Sequence, residues 1–167
     1  MIIDLVPAFP QIDNKFHNYT ACYATSIAML FQFCLERKNL GHLDVGCPDD
    51  IQMEDYLMDR VVRSGKDRFH AWTWRDLFNK YMGQFGYVDK FVEGFSLEDL
   101  KTHLNKYQLP VVVHGEFGGR GGVAGHITVC VGYSDTDPNK LIIIDPFGDA
   151  TKNYSDPKHE VGYYLEY

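Results

Sequence analysis

The chain reads as an α+β domain, and three features of its texture say so. Apolar residues recur at helical three- and four-residue steps through the N-terminal half. The C-terminal half instead carries short runs rich in Val, Ile and Tyr. Those runs are separated by glycine clusters or by SDTDPN, which is strong turn chemistry. Helices and strands segregated in this way pack as helices against one side of a mainly antiparallel sheet. With 167 residues, 45% of them hydrophobic, the chain can bury one core but is short for two, so 1–167 is expected to form one domain.

In chain order, Pro7, Pro10, Asn14 and Asn18 punctuate the first twenty residues, which suits an irregular arm laid across the domain. From Cys22 to about Arg37, Ala24, Ile27, Ala28, Phe31 and Leu35 keep helical spacing with no internal Gly or Pro. This predicts a core helix with Cys22 at its start. GHLDVGCPDD is a loop. Ile51 to about Val62 resumes the helical pattern behind Asp49 and Asp50, acidic residues that favour a helix start. Thr73 with Asp76 and Ser96 with Asp99 have capping-box spacing ahead of two more apolar periodic segments. PVVVHG, HITVCVGY, KLIIID and VGYYLEY then read as strands, the middle two joined as a hairpin by SDTDPN. The glycine-dense GEFGGRGGVAGH reads as a loop before His126 that either lines a cleft or simply reverses the chain.

The formal charge of -7 is dispersed along the chain, with no basic stripe to neutralise phosphates, so a nucleic-acid partner is not expected. MIIDLVPAFPQIDNKF has no basic start or apolar run of signal-peptide type, and no later segment has the length of a membrane span. Cytoplasmic synthesis without a signal peptide is therefore expected. Cys22, Cys34, Cys47 and Cys130 show neither paired spacing nor a nearby set of histidines, which disfavours zinc and disulfides and leaves free thiols. Cys34 and Cys130 read as buried and inert, and Cys47 as an incidental exposed loop thiol.

The chemistry lies in the order Gln11, Cys22, His126, Asp145. A thiol is a strong nucleophile as thiolate, which a helix N-terminus and a neighbouring imidazole favour. Cys22 has the first condition by position. His126 opens an apolar strand, and if HITVCVGY and KLIIID pair antiparallel, His126 and Asp145 fall toward the same end of the hairpin. Asp145 then orients the imidazole. In that scheme Cys22 attacks a carbonyl, His126 moves the proton, and Gln11 with the Cys22 backbone N–H stabilises the oxyanion. No metal or other cofactor is required. Each residue also has a plain structural reading. A helix-start cysteine is often inert, His114 and His126 could both be satisfied core histidines, Asp145 before Pro146 could simply start a turn, and Gln11 could be a polar loop residue. The conjunction in order favours the catalytic reading over each plain one.

The segments FPQIDN, TACYATSIAML, IQMEDYL, LPVVVHGEF, GHITVCVGY and IDPFGD, spanning most of the chain, resemble papain-fold cysteine peptidases of the bacteriocin-processing, double-glycine-leader type. The likeness is to the stand-alone branch seen as the catalytic domain of phage and prophage endolysins. It implies a papain-like fold with the nucleophile on the central helix and the His and Asp on the facing sheet. It carries the nucleophile to Cys22, the base to His126, the third member to Asp145 and the oxyanion donor to Gln11. Two departures bear on specificity: Tyr23-Ala24 follows the cysteine, and the glycine-rich insertion before His126 is long. Tyr19, Tyr23, Trp72 and Trp74 are candidates to shape the cleft, with core packing expected for at least one tryptophan.

The resemblance implies hydrolysis of an amide bond, in lysin-like relatives a peptide bond of bacterial peptidoglycan, acting at the cell wall after release from the cell. The expected partner is thus a bacterial cell-wall peptide or another peptide substrate. A leader-processing peptidase and a non-catalytic module on the same fold are the alternatives. The acidic surface counts against a wall enzyme, because walls are themselves anionic. The carboxylates of CPDDIQMEDYL are expected as helix-start and solvated charges rather than as cation ligands.

Overall fold

A computed structural model describes residues 1–17, 20–115, 125–137, 139–148 and 165–166. Four helices precede the strands: α1 (Cys22–Glu36), α2 (Met53–Arg63), α3 (Ala71–Met82) and α4 (Leu97–Tyr107). β1 (Val111–Gly115), β2 (His126–Tyr133) and β3 (Leu141–Ile144) form an antiparallel sheet in that order, to which the two-residue β4 (Leu165–Glu166) adds at the β3 edge. The α+β expectation holds, and the arrangement is compatible with a papain-like fold. No described helix is long and apolar enough to cross a membrane.

The centre of the molecule is α1. Eleven of its fifteen residues are buried, Ala24 to Phe31 without a break, as expected for a helix that meets protein on most of its faces. It packs on β1 and β2 on one side and on α2 and α3 on another. Phe31 meets the ring of Phe78 edge-on, with centroids 5.1 Å apart, and so joins α1 to α3.

Two helix starts separate pattern from outcome. The Ser96–Asp99 capping box forms in full: Ser96 Oγ accepts the Asp99 N–H at 3.1 Å, and the Asp99 carboxylate accepts the Ser96 N–H at 3.1 Å. The Thr73–Asp76 pair does not cap anything. Helix α3 begins at Ala71, which puts Thr73 inside it, and the Asp76 carboxylate is taken by Arg75 and Lys66. Helix α2 begins at Met53, and its first-turn acids are Glu54 and Asp55 rather than Asp49 and Asp50. Both are buried, contrary to the solvated charges expected. Asp55 accepts the Lys15 N–H at 2.8 Å, and burial, with Asp13 and Asp55 nearby, pushes Glu54 up to about 7.

The arm of residues 1–17 is irregular, as expected, but it is pinned along its length. Ile2 bridges Gly132 on β2, and the Ile3 N–H donates to the Val131 carbonyl at 2.8 Å. Val131 is the extra residue where the β2–β3 register slips, so the bulge turns its carbonyl toward the arm. Gly132 is required there: a Cβ would lie 2.3 Å from the Met1 carbonyl oxygen and 2.9 Å from Ile2 Cα. Of the remaining expectations, the glycine-rich stretch before His126, Tyr19 and most of VGYYLEY lie outside the described residues.

Candidate active site

Cys22 is the first residue of α1, after the N-cap Ala21. The leading N–H groups of a helix have no acceptor within it, and the N-terminal end carries partial positive charge, so the thiol sits where an anion is favoured. Cys22 is also the one thiol of the four that is part-exposed; Cys34, Cys47 and Cys130 are buried. Burial pushes those three up, to about 12, 11 and 11 respectively, in the case of Cys47 with help from Glu54 and neighbouring aspartates. They are poor nucleophiles. For Cys47 this corrects the expectation of an exposed thiol: the loop folds back so that its sulfur lies 3.6 Å from the carbonyl oxygens of Pro48 and Ile51.

His126 opens β2, and Asp145 directly follows β3. The hairpin register pairs Val129 with Ile144, which brings the two side chains to one end of the sheet as the pairing argument requires. His126 Nε2 meets Asp145 Oδ1 at 2.7 Å, with both residues almost wholly buried. The same Oδ1 accepts the Phe147 N–H at 2.8 Å. Asp145 therefore starts the turn its sequence context suggested and orients the histidine at once. With Nε2 occupied, Nδ1 is the nitrogen left for Cys22. His114, the other strand histidine, is exposed on β1.

The electrostatics fit this pairing. Burial is the largest single influence on His126 and disfavours its charged form. Hydrogen bonds to Asp145 and Cys22, together with their negative charge, outweigh it and raise His126 to about 9. An imidazolium is thus the stable form at neutral pH. Beside Cys22, Tyr23 lies stacked on Trp74 with centroids 6.1 Å apart, and burial followed by the charge on Cys22 raises its phenol. Trp74 is the buried tryptophan, whereas Trp72 is half-exposed and packs edge-on against Phe91.

Gln11 comes from the arm, in a short 3-10 turn spanning Gln11–Asp13, and is buried. Its N–H donates to the carbonyl of Pro146 at 2.8 Å, which fastens it beside Asp145. Two further bonds, not anticipated from the sequence, hold the parts in register. Asn14 Nδ2 donates to Thr25 Oγ1 at 3.0 Å, tying the arm to α1 three residues past Cys22. Ser26 Oγ donates to the carbonyl of Ile127 at 3.2 Å, tying α1 to β2 next to His126. Polar residues on an otherwise apolar helix, one turn past the cysteine, were the signal available for finding them.

All four residues singled out by sequence, Gln11, Cys22, His126 and Asp145, are therefore carried to one region by the arm, α1, β2 and the end of β3. A thiol at a helix start, an imidazolium beside it and a buried carboxylate behind that can perform nucleophilic acyl transfer. No curated protein and no solved structure matches the chain. Residues 3–167 match the Peptidase_C39 like family, and the chain belongs to that family of cysteine peptidases.

Proposed function

We propose that the protein is a cysteine endopeptidase in which Cys22 is the nucleophile, His126 the acid and base, Asp145 the positioning residue of the imidazole and Gln11 an oxyanion donor. The observation that carries the proposal is the buried His126–Asp145 pair, with Cys22 at the start of α1 hydrogen-bonding to the same imidazole. The Cys22 thiolate attacks the carbonyl carbon of a peptide bond. The negative oxygen that forms is met by the Cys22 N–H and the Gln11 side-chain amide. His126 gives its proton to the leaving amine, and the acyl group remains on sulfur. His126 then takes a proton from water, which attacks the thioester and releases the acid. Throughout, Asp145 accepts from Nε2 and keeps Nδ1 turned toward the sulfur.

The substrate we propose is a stem or cross-bridge peptide of bacterial peptidoglycan, on an enzyme of phage-endolysin type that acts at the wall once released. Support comes from the resemblance, read from the sequence alone, of the segments around Gln11, Cys22, His126 and Asp145 to the stand-alone, endolysin-type branch. The test is release of new amino groups from purified cell walls of several peptidoglycan types, with the fragments identified by mass spectrometry. Wild type is expected to release defined peptides and Cys22→Ala none. No release from any wall type, alongside cleavage of double-glycine leader peptides, would assign the protein to leader processing instead. Tight binding of a substrate recovered intact would mark a non-catalytic module.

A further inference from the structure

One stretch of this acidic chain is net positive, although it contains no continuous basic run. Residues 60–90 contain seven of the sixteen Lys and Arg residues and only three acids, Asp67, Asp76 and Asp89. That stretch is net positive by four in a chain of net charge -7, leaving -11 on the remainder. It forms the end of α2 and all of α3, which meet along a surface groove of about 170 Å³ lined by Arg60, Ser64, Lys66, Thr73, Lys80 and Tyr81, among others.

Two of these cations are positioned over aromatic rings. The Arg60 guanidinium lies 4.7 Å from the centroid of the Tyr56 ring, and Lys80 Nζ lies 5.2 Å from that of Tyr81. The two rings are themselves in contact, with centroids 6.3 Å apart. Ring contacts of this kind orient a cation but leave its charge available. Among the described residues neither Arg60 nor Lys80 is in an ion pair, although acids outnumber bases by twenty-three to sixteen in the chain. The carboxylate at the groove, Asp76, is held by Arg75 and Lys66. The groove therefore offers donors and positive charge to an acceptor-only ligand.

We infer that the α2–α3 groove docks a flexible anionic phosphodiester polymer of the bacterial wall, an inference that rests on the wall-directed reading above. A phosphodiester keeps its charge throughout the working pH range, accepts hydrogen bonds and donates none, and so complements Arg60, Lys80 and the Thr73 hydroxyl. Arg60 and Lys80 both line the groove, so it offers more than one cation to successive phosphates of a chain. The -11 carried elsewhere disfavours a stiff nucleic-acid duplex. Cys22 is not among the residues lining the groove, so a polymer seated there leaves the thiol to the peptide. It would hold the enzyme at the wall and raise the local concentration of peptide at Cys22. An acidic protein could in this way approach an anionic wall through one face.

The test measures binding of the full chain to a labelled glycerol-phosphate oligomer at low salt by fluorescence anisotropy. The expected result is saturable binding that weakens about tenfold or more in Arg60→Gln/Lys80→Gln, with a salt slope shallower by roughly one to two. Lys38→Gln, which removes a cation outside the groove, should bind as wild type, and a thermal melt of each variant checks folding. Unaltered affinity in the double variant overturns the inference. So do equal competition by inorganic phosphate at matched phosphate concentration and tighter binding of a single-stranded oligonucleotide. Cleavage of a soluble wall peptide separates the two proposals. If wild type and the double variant cleave it equally while the oligomer does not bind, the groove inference fails and the peptidase reading stands.

Discussion

The frame of α1, β2 and β3 and the arm of residues 1–17 each supply part of the site, and they hold it by different means. Cys22 and His126 are the first residues of a helix and of a strand, elements held by repeating backbone hydrogen bonds, and Asp145 follows a strand paired to that of His126. Their placement follows from regular structure and from a core that closes around α1. Gln11 sits in a single 3-10 turn of the arm, fixed by separate bonds to Pro146, through Asn14 to Thr25, and through Lys15 to Asp55. The proposed nucleophile and base are thus held by cooperative structure, whereas the proposed oxyanion donor depends on a few tethers. The two halves of the site should fail separately and with different signatures.

The largest expected effect lies in the frame. Cys22→Ala should lower peptide hydrolysis by about ten-thousandfold or more, while a circular-dichroism melt remains close to wild type because the residue is part-exposed. Retained activity would remove Cys22 from the mechanism.

Next is Asp145→Ala, with a loss of roughly a hundredfold to ten-thousandfold and a change in pH behaviour that arm variants should not share. The wild-type rate is expected to fall on the alkaline side near pH 9, where His126 loses its proton. Without Asp145, burial weighs more heavily against the charged imidazole, so that limb should move to lower pH. Stability carries the same sign. His126 titrates higher folded than unfolded, so its contribution is complete below about pH 6.5 and is lost as pH rises through about 9. The wild-type Tm should therefore fall more steeply across that window than the Tm of Asp145→Ala. Parallel melting curves would contradict this account of the pair.

Arm variants should be milder. Gln11→Ala is expected to lower kcat by about a hundredfold to a thousandfold and leave the alkaline limb in place. A shifted limb would mean that Gln11 acts through His126 rather than on the oxyanion. The smallest effect belongs to Asn14→Ala, which removes the tether to Thr25 at a cost of about 1 kcal/mol in stability. Its kcat loss should fall short of that of Gln11→Ala, and it should not add to that loss in the double variant.

The same contrast explains how much was legible in the sequence. The α1 pattern, the Ser96–Asp99 box and the SDTDPN hairpin are local signals, each sufficient for its element, and the antiparallel register then carried His126 to Asp145. Thr73 and Asp76 had the same spacing, but an earlier start for α3 and competing cations took it over. Asn14, Thr25 and Ser26 were invisible as a set because a tether between an irregular arm, a helix and a strand has no period. Cys47, Glu54 and Asp55 were misread for a related reason: burial beneath a returning loop or arm is a tertiary outcome that neither composition nor spacing records.

The central claim is that His126 activates Cys22, beyond the mere accessibility of the thiol. It is tested most directly by the rate of iodoacetamide alkylation at Cys22, followed by peptide mass mapping at neutral pH in wild type and in His126→Ala. Loss of the ring leaves the sulfur at least as exposed, so activation predicts labelling about tenfold or more slower in the variant, with wild-type hydrolysis lost in step with Cys22 alkylation. Equal labelling rates in the two proteins, or hydrolysis surviving full alkylation of Cys22, would contradict it.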